Sequence, residues 1–262
     1  MITDLFLMLS PEKIIVFILV LTRLSGMLIS APFFSTFPIP IQAKAVLLFL
    51  VTFIIYPSIS TASLQLSTVT DLPTLMILML KELSVGAIIG FTAGLIFVAI
   101  QMAGQMLSIQ MGLAVSSVLD PFTQQQVPVL GQFYQYLASI IFIFVNGHLW
   151  LFSSVYDSYH MIPLGYEFIF NGMLVERVLF FTSQLFVIAF GIIMPIYGVL
   201  FITDIILGFM SKAMPQMNVF MVALPFKIMV GIWLLIIFMS STARYLTELI
   251  LTLLKEIDKI FI

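Results

Sequence analysis

Arg23, Lys81, Glu82, Glu176, Arg177 and Asp204 are charged side chains inside apolar stretches of this sequence. In a membrane segment such residues mark proton relays, ion pathways or substrate sites unless each finds an opposite charge. Lys81–Glu82 and Glu176–Arg177 are adjacent opposite charges, so mutual or interhelical pairing is the simpler expectation. The two histidines, His148 and His160, lack the spacing of a zinc-binding HExxH helix. His148, within NGHLW, is expected to satisfy a local hydrogen bond. Neither a GxSxG elbow nor a phosphate-binding loop occurs. No catalytic residue, metal ligand or cofactor site is assigned, and an enzyme is not expected. The alternative that would use the charges is a polytopic secondary transporter with Lys81, Glu82, Glu176, Arg177 and Asp204 in a broken-helix site. It calls for an internal repeat, and none is convincing.

A second group of polar residues lies on one helix. Gln101, Gly104, Gln105, Ser108 and Gly112 recur at helical spacing, with Gln110 beside them. Lipid gives no reason to place glutamines there. The stripe lines an aqueous passage or forms a hydrogen-bonded seam between helices. Just before it, Gly86, Gly90 and Gly94 form two overlapping small-xxx-small motifs, which let another helix approach closely. Their partner is either another subunit or a helix of the same chain. Just after it comes SSVLDPFTQQQVP (116–128), in which Asp120-Pro121 favours a turn. Val115, Val118, Leu119 and Phe122 surround this break. The segment reads as an apolar-tipped loop that blocks a pore, or as a plain surface turn.

The elements that hold these residues are helices in an apolar solvent. The chain is 62% hydrophobic and 8% charged, against roughly a quarter charged in soluble domains. Its mean hydropathy of +1.22 places it in a membrane or in the wall of a membrane-embedded assembly. Net charge is −2 without a basic run, so nucleic acid is not an expected partner. Cysteine is absent, which excludes disulfide and thiolate chemistry. The first apolar stretch carries Arg23 inside it, with Asp4 and Glu12 where a signal peptide would be positive, so a cleavable signal is not expected.

Apolar blocks fall at 14–31, 43–56, 72–113, 129–152, 174–210 and 219–254. Prolines and glycines punctuate them, and no period-two pattern supports a barrel. The expected fold is all-α: elongated, kinked helical hairpins built from about six long apolar segments. A bilayer core of ~30 Å takes about 20 helical residues. The second block is short for that, whereas the third and fifth are overlong. Pro195 lies inside the fifth, where a kink is expected. The sixth ends amphipathically, with Ser241, Arg244, Glu248, Thr252, Lys255 and Lys259 on one face. Counted as ordinary spans, the blocks put Lys13, Arg177, Lys255 and Lys259 toward one side and Lys44, Lys212 and Lys227 toward the other. That near tie supports neither orientation, and it points to helices solvated mainly by other subunits. The chain is expected to be unstable or to aggregate when made alone.

The segments AGQMLSIQMGL, LDP and VPVL (103–130), VNGHLWLFSSVYDSYHMIPLG (145–165) and LGFMSKAMPQMNVFMVALPFK (207–227) resemble the FliR family of flagellar biosynthesis proteins. APFFSTFPIPIQAK (31–44) fits its N-terminal motif. The resemblance covers essentially the whole chain. Injectisomes contain a related subunit, but NGHLW and the PQMNVF stretch sit closer to the flagellar branch. The resemblance implies a FliP-like helical half over 1–170 and a FliQ-like helical hairpin half over 171–262, within one integrated domain. It implies a closed channel for flagellar proteins, built with FliP-type and FliQ-type subunits, with FlhB-type and FlhA-type export proteins as neighbours. Its implied location is the bacterial inner membrane at the flagellar basal body, with a role in nucleating rod assembly. The loop 114–127 would be the channel plug, with Val115, Val118, Leu119, Asp120, Pro121 and Phe122 at its tip. Some relatives carry aromatics there; this chain has Val115 and Val118, and adds Phe122. The turn Met214, Pro215, Gln216 and Asn218 would lie at the cytoplasmic base.

Overall fold

The computed structural model describes residues 11–36, 39–59, 72–113, 129–165, 172–216 and 218–257, and every regular element among them is a helix. Helix α1 (Pro11–Ser30) opens on a proline, whose missing N–H would have had no partner in the first turn, and on Glu12, which faces the positive helix end. Pro32 ends it and opens the short α2 (Pro32–Thr36). Helix α3 (Ile41–Ile55) follows Pro40 and tightens into a 3-10 turn, Tyr56–Ser58, at Pro57.

Helix α4 (Leu72–Gln110) runs unbroken for 39 residues. It stops at Gly112, whose φ of 80° is open to glycine without a Cβ clash. The Leu113 and Gly112 N–H groups donate back to the Ser108 and Ile109 carbonyls, each at 3.0 Å, so backbone hydrogen bonds close the last turn.

The fourth apolar block is not one helix. It splits into α5 (Val129–Phe144) and α6 (Gly147–Met161) at Asn146, which takes a left-handed φ of 58°. The Asn146 carbonyl then accepts from the Leu149 and Trp150 N–H groups and starts α6. Helix α7 (Gly172–Ala213) continues through Pro195 for 42 residues, and α8 (Val219–Ile257) carries a further internal proline, Pro225. On α8, Ser241, Arg244, Glu248, Thr252 and Lys255 are all exposed, as helical spacing predicts for a polar face; Lys259 lies outside the described residues. Five of the described helices, counting α3 with its 3-10 turn, are long and apolar enough to cross a membrane. The chain is an all-α membrane protein.

Two compact units divide the chain: Met1–Leu95, Asn146–Phe181 and Thr252–Ile262 in the first, Ile96–Val145 and Thr182–Leu251 in the second. In the first unit α1 and the early part of α4 meet backbone to backbone. A Cβ at Gly86 would lie 3.0 Å from the Met27 nitrogen, one at Gly90 3.0 Å from the Ala31 nitrogen, and one at Gly94 2.5 Å from Pro32 Cδ. The small-residue stripe is therefore occupied by α1 and α2 of the same chain. Phe17 of α1 joins α3 edge-on through Phe49, with ring centroids 5.3 Å apart. In the second unit a Cβ at Gly104 would meet the Gly131 backbone at 2.7 Å, Phe97 packs on Phe142, and Tyr134 shares a hydrogen bond with Thr242.

Gly90→Leu is expected to disrupt the α1–α4 crossing inside this chain, because the inserted side chain meets the Met27 carbonyl and the Ala31 nitrogen of the backbone as well as the Ser30 hydroxyl. Overpacking of this kind costs about 1–3 kcal/mol or more. The thermal unfolding transition of the detergent-solubilised protein should shift down. An unchanged transition would remove the crossing from the list of what holds the first unit together.

Large apolar surface is left bare. On α3, Val46, Phe49, Leu50, Phe53 and Ile54 are exposed and only Thr52 is buried. On α7 and α8, Phe186, Phe201, Phe209, Met229, Trp233 and Ile236 are exposed. Contiguous apolar surface on this scale marks contact with lipid or protein.

Candidate functional site

The first unit is built around Arg23, which is completely buried. Its Nε donates to Glu82 Oε2 at 2.6 Å, Nη1 to Ser158 Oγ at 2.9 Å and Nη2 to the Ile162 carbonyl at 3.0 Å. Ser158 accepts that bond and donates its own hydroxyl hydrogen to the Val155 carbonyl, so its polar atom is satisfied both ways. The guanidinium carbon lies 4.0 Å from the centre of the Tyr159 ring, a cation–π geometry. The other Glu82 oxygen faces the Gly165 N–H at 3.5 Å. One cation thus collects α1, α4, α6 and the turn after α6.

Gly86 makes this geometry reachable. It sits one turn beyond Glu82, and a Cβ there would collide with the Arg23 carbonyl. Its missing side chain lets the two helices close until the carboxylate meets the guanidinium. Chemically the node is neutral and its charges are saturated. It offers no free acid or base, and it fits a lock better than a relay.

The second unit has a polar cluster of its own. Asp204 on α7 accepts from Gln110 Nε2 at 2.8 Å through Oδ2 and from Lys227 Nζ at 2.7 Å through Oδ1. Lys227 had been counted above as a flanking charge. It instead lies inside α8, with its side chain 14% exposed, and neutralises Asp204. Of the glutamine stripe, Gln101 and Gln105 are half-buried, Ser108 is buried, and Gln110 joins this cluster.

The remaining sequence candidates are placed as follows. Lys81 is half-buried and Glu176 exposed. Met214, Pro215, Gln216 and Asn218 are exposed between α7 and α8. Val115, Val118, Leu119, Asp120, Pro121 and Phe122 lie outside the described residues. The expected local bond of His148 is not found for one ring nitrogen: its buried Nδ1 has no partner among the described residues.

Ser158, Tyr159, the Ile162 carbonyl and Lys227 escaped the sequence reading. A signal for the first two exists. Leu151, Ser154, Val155, Ser158 and Tyr159 are buried residues of α6 that recur at helical spacing. Polar side chains on an apolar stripe ask for a buried partner, and Arg23 asks for an acceptor. Lys227 carried a signal too, as a charge inside the apolar block 219–254, but it was counted only for orientation.

Comparison with known proteins gives one consistent result. The sequence profile described as "Bacterial export proteins, family 1" matches residues 14–253. The chain is 32% identical over 234 residues to the flagellar biosynthetic protein FliR of Bacillus subtilis strain 168, covering 86% of each chain. It is 29% identical to FliR of Escherichia coli K12, over 87% of this chain and 86% of that one. It is 30% identical over 171 residues, 65% of each chain, to the surface presentation of antigens protein SpaR of Shigella sonnei.

Proposed function

Because the chain belongs to the bacterial export proteins, family 1, we propose that it is a subunit of the flagellar type III secretion export gate. With FliP-type and FliQ-type subunits it forms a closed channel for flagellar proteins and nucleates the rod. The match over 14–253 carries this reading. The structure supports it physically. A helix of 39 residues is about 59 Å long at 1.5 Å per residue, roughly twice a bilayer core. Apolar residues stay bare along α7 and α8, so lipid alone does not account for their length. Partner helices do.

In this reading residues 1–170 act as the FliP-like half and 171–262 as the FliQ-like hairpin half. Residues 114–127 form the plug, the stripe of Gln101, Gln105, Ser108 and Gln110 lines a lumen or a seam, and the turn with Met214, Pro215, Gln216 and Asn218 meets an FlhB-type protein at the cytoplasmic base. FlhA-type proteins are further neighbours, and the site is the inner membrane at the flagellar basal body. The charged residues do not favour the secondary transporter, since Glu82 and Asp204 are each held by their own cation.

The test is co-expression with FliP-type and FliQ-type subunits from the same host, followed by native mass measurement. The expected result is a hetero-oligomer that includes this chain, and aggregation or degradation when the chain is made alone. A monodisperse monomer or homo-oligomer in mild detergent, indifferent to those partners, would overturn the proposal.

A further inference from the structure

The last turn of α4 meets the α7–α8 hairpin through a polar contact and through close apolar packing. Gln110 donates to Asp204, and Lys227 occupies the other oxygen of the same carboxylate. Next in sequence, Met111 is fully buried, and its side chain fills the space where Gly231 has no Cβ. Gly112 then turns the chain away against Leu224, whose Cδ2 would lie 2.6 Å from an added Cβ. Beside these contacts Ile205, Ile206, Val222 and Phe226 are exposed on the chain itself. Asp204 itself keeps 38% of its side-chain surface. The contrast with Arg23 is plain. There a charge is sealed inside the packing; here a shared carboxylate sits at the edge of it.

We propose that Asp204, bound at once by Gln110 and Lys227, is the positioning residue of a releasable clasp between the end of α4 and the C-terminal hairpin, and that the clasp opens during export. The inference rests on the export-gate reading. Directional hydrogen bonds in an apolar medium have few alternatives, so the clasped arrangement is discrete, not graded. Its partial exposure gives water or a moving partner access to the carboxylate.

The sequence contains no cysteine, which makes a direct test clean. In the native host deleted for this chain, the Met111→Cys/Gly231→Cys variant is introduced into the full gate. With the disulfide formed, the complex should assemble and export of flagellar protein should be lost; a thiol reductant should restore it. Export that proceeds equally with the bond closed overturns the clasp.

A second measurement does not depend on that pair. Asp204→Lys should lose export, because it sets two cations together. Asp204→Lys with Lys227→Asp should regain it, since the Gln110 amide can accept as well as donate. An assembled swap variant that stays inactive also overturns the clasp. Failure of the underlying reading looks different: deletion of the whole chain would then leave export intact.

Discussion

Glu82→Ala is expected to be among the most damaging single changes in the chain. It removes the carboxylate from a guanidinium that has no access to solvent. Breaking a buried pair from one side costs about 3–5 kcal/mol, because the orphaned charge stays in an apolar interior. Ser158, the Ile162 carbonyl and the Tyr159 ring remain beside Arg23 but none carries a negative charge. If the chain is a gate subunit as proposed, the complex should contain little of it, and its thermal transition should fall sharply. Glu82→Gln should be milder, since its amide oxygen can still accept from Nε. Removing both charges with Arg23→Met and Glu82→Met should recover part of the loss. A Glu82→Ala chain that accumulates and melts like the parent would mean that the node contributes nothing to the fold. Arg23→Lys is not conservative here: an ammonium cannot address Glu82, Ser158 and the Ile162 carbonyl in one plane.

Deleting 117–126 and bridging the gap with a short glycine linker should act in the opposite manner, on function with assembly kept. If 114–127 closes the passage, Val115, Val118, Leu119 and Phe122 exclude water, and a hydrophobic constriction gates by dewetting. Polarity then matters more than shape. The deletion, or Val115, Val118 and Phe122 changed together to Ser, should leave the complex assembled and the membrane leaky to small ions. Val118→Leu should be close to silent. Permeability of cells expressing the gate is the readout, with complex yield measured in parallel. An assembled deletion variant as tight as the parent returns the segment to a plain turn.

The two predictions draw on different layers of information, and so does the rest of the molecule. Composition and period determined that the chain is an all-α membrane protein. Apolar side chains at helical spacing, with prolines and glycines between the blocks, leave no other way to satisfy the backbone in an apolar solvent. The motif residues in 103–130, 145–165 and 207–227 were enough to suggest the family. The break at Asn146 was also legible in principle, since an Asn-Gly pair marks a turn. It was hidden by the apolar residues on either side, which read as one continuous block.

Which charges would pair was decided only by the tertiary structure. Sequence adjacency drew attention to Lys81 beside Glu82, yet neighbouring positions on a helix point in different directions. Glu82 reaches instead across 59 residues to Arg23, and Asp204 reaches into the next helix to Lys227. The glycine stripe likewise announced a close crossing without naming the helix that fills it; α1 of the same chain does. Periodicity fixes the face a helix turns inward because that is a property of the helix alone. Its neighbour depends on how distant helices dock, and the ion pairs, the close crossing and the polar clasp exist only once that docking has set their distances.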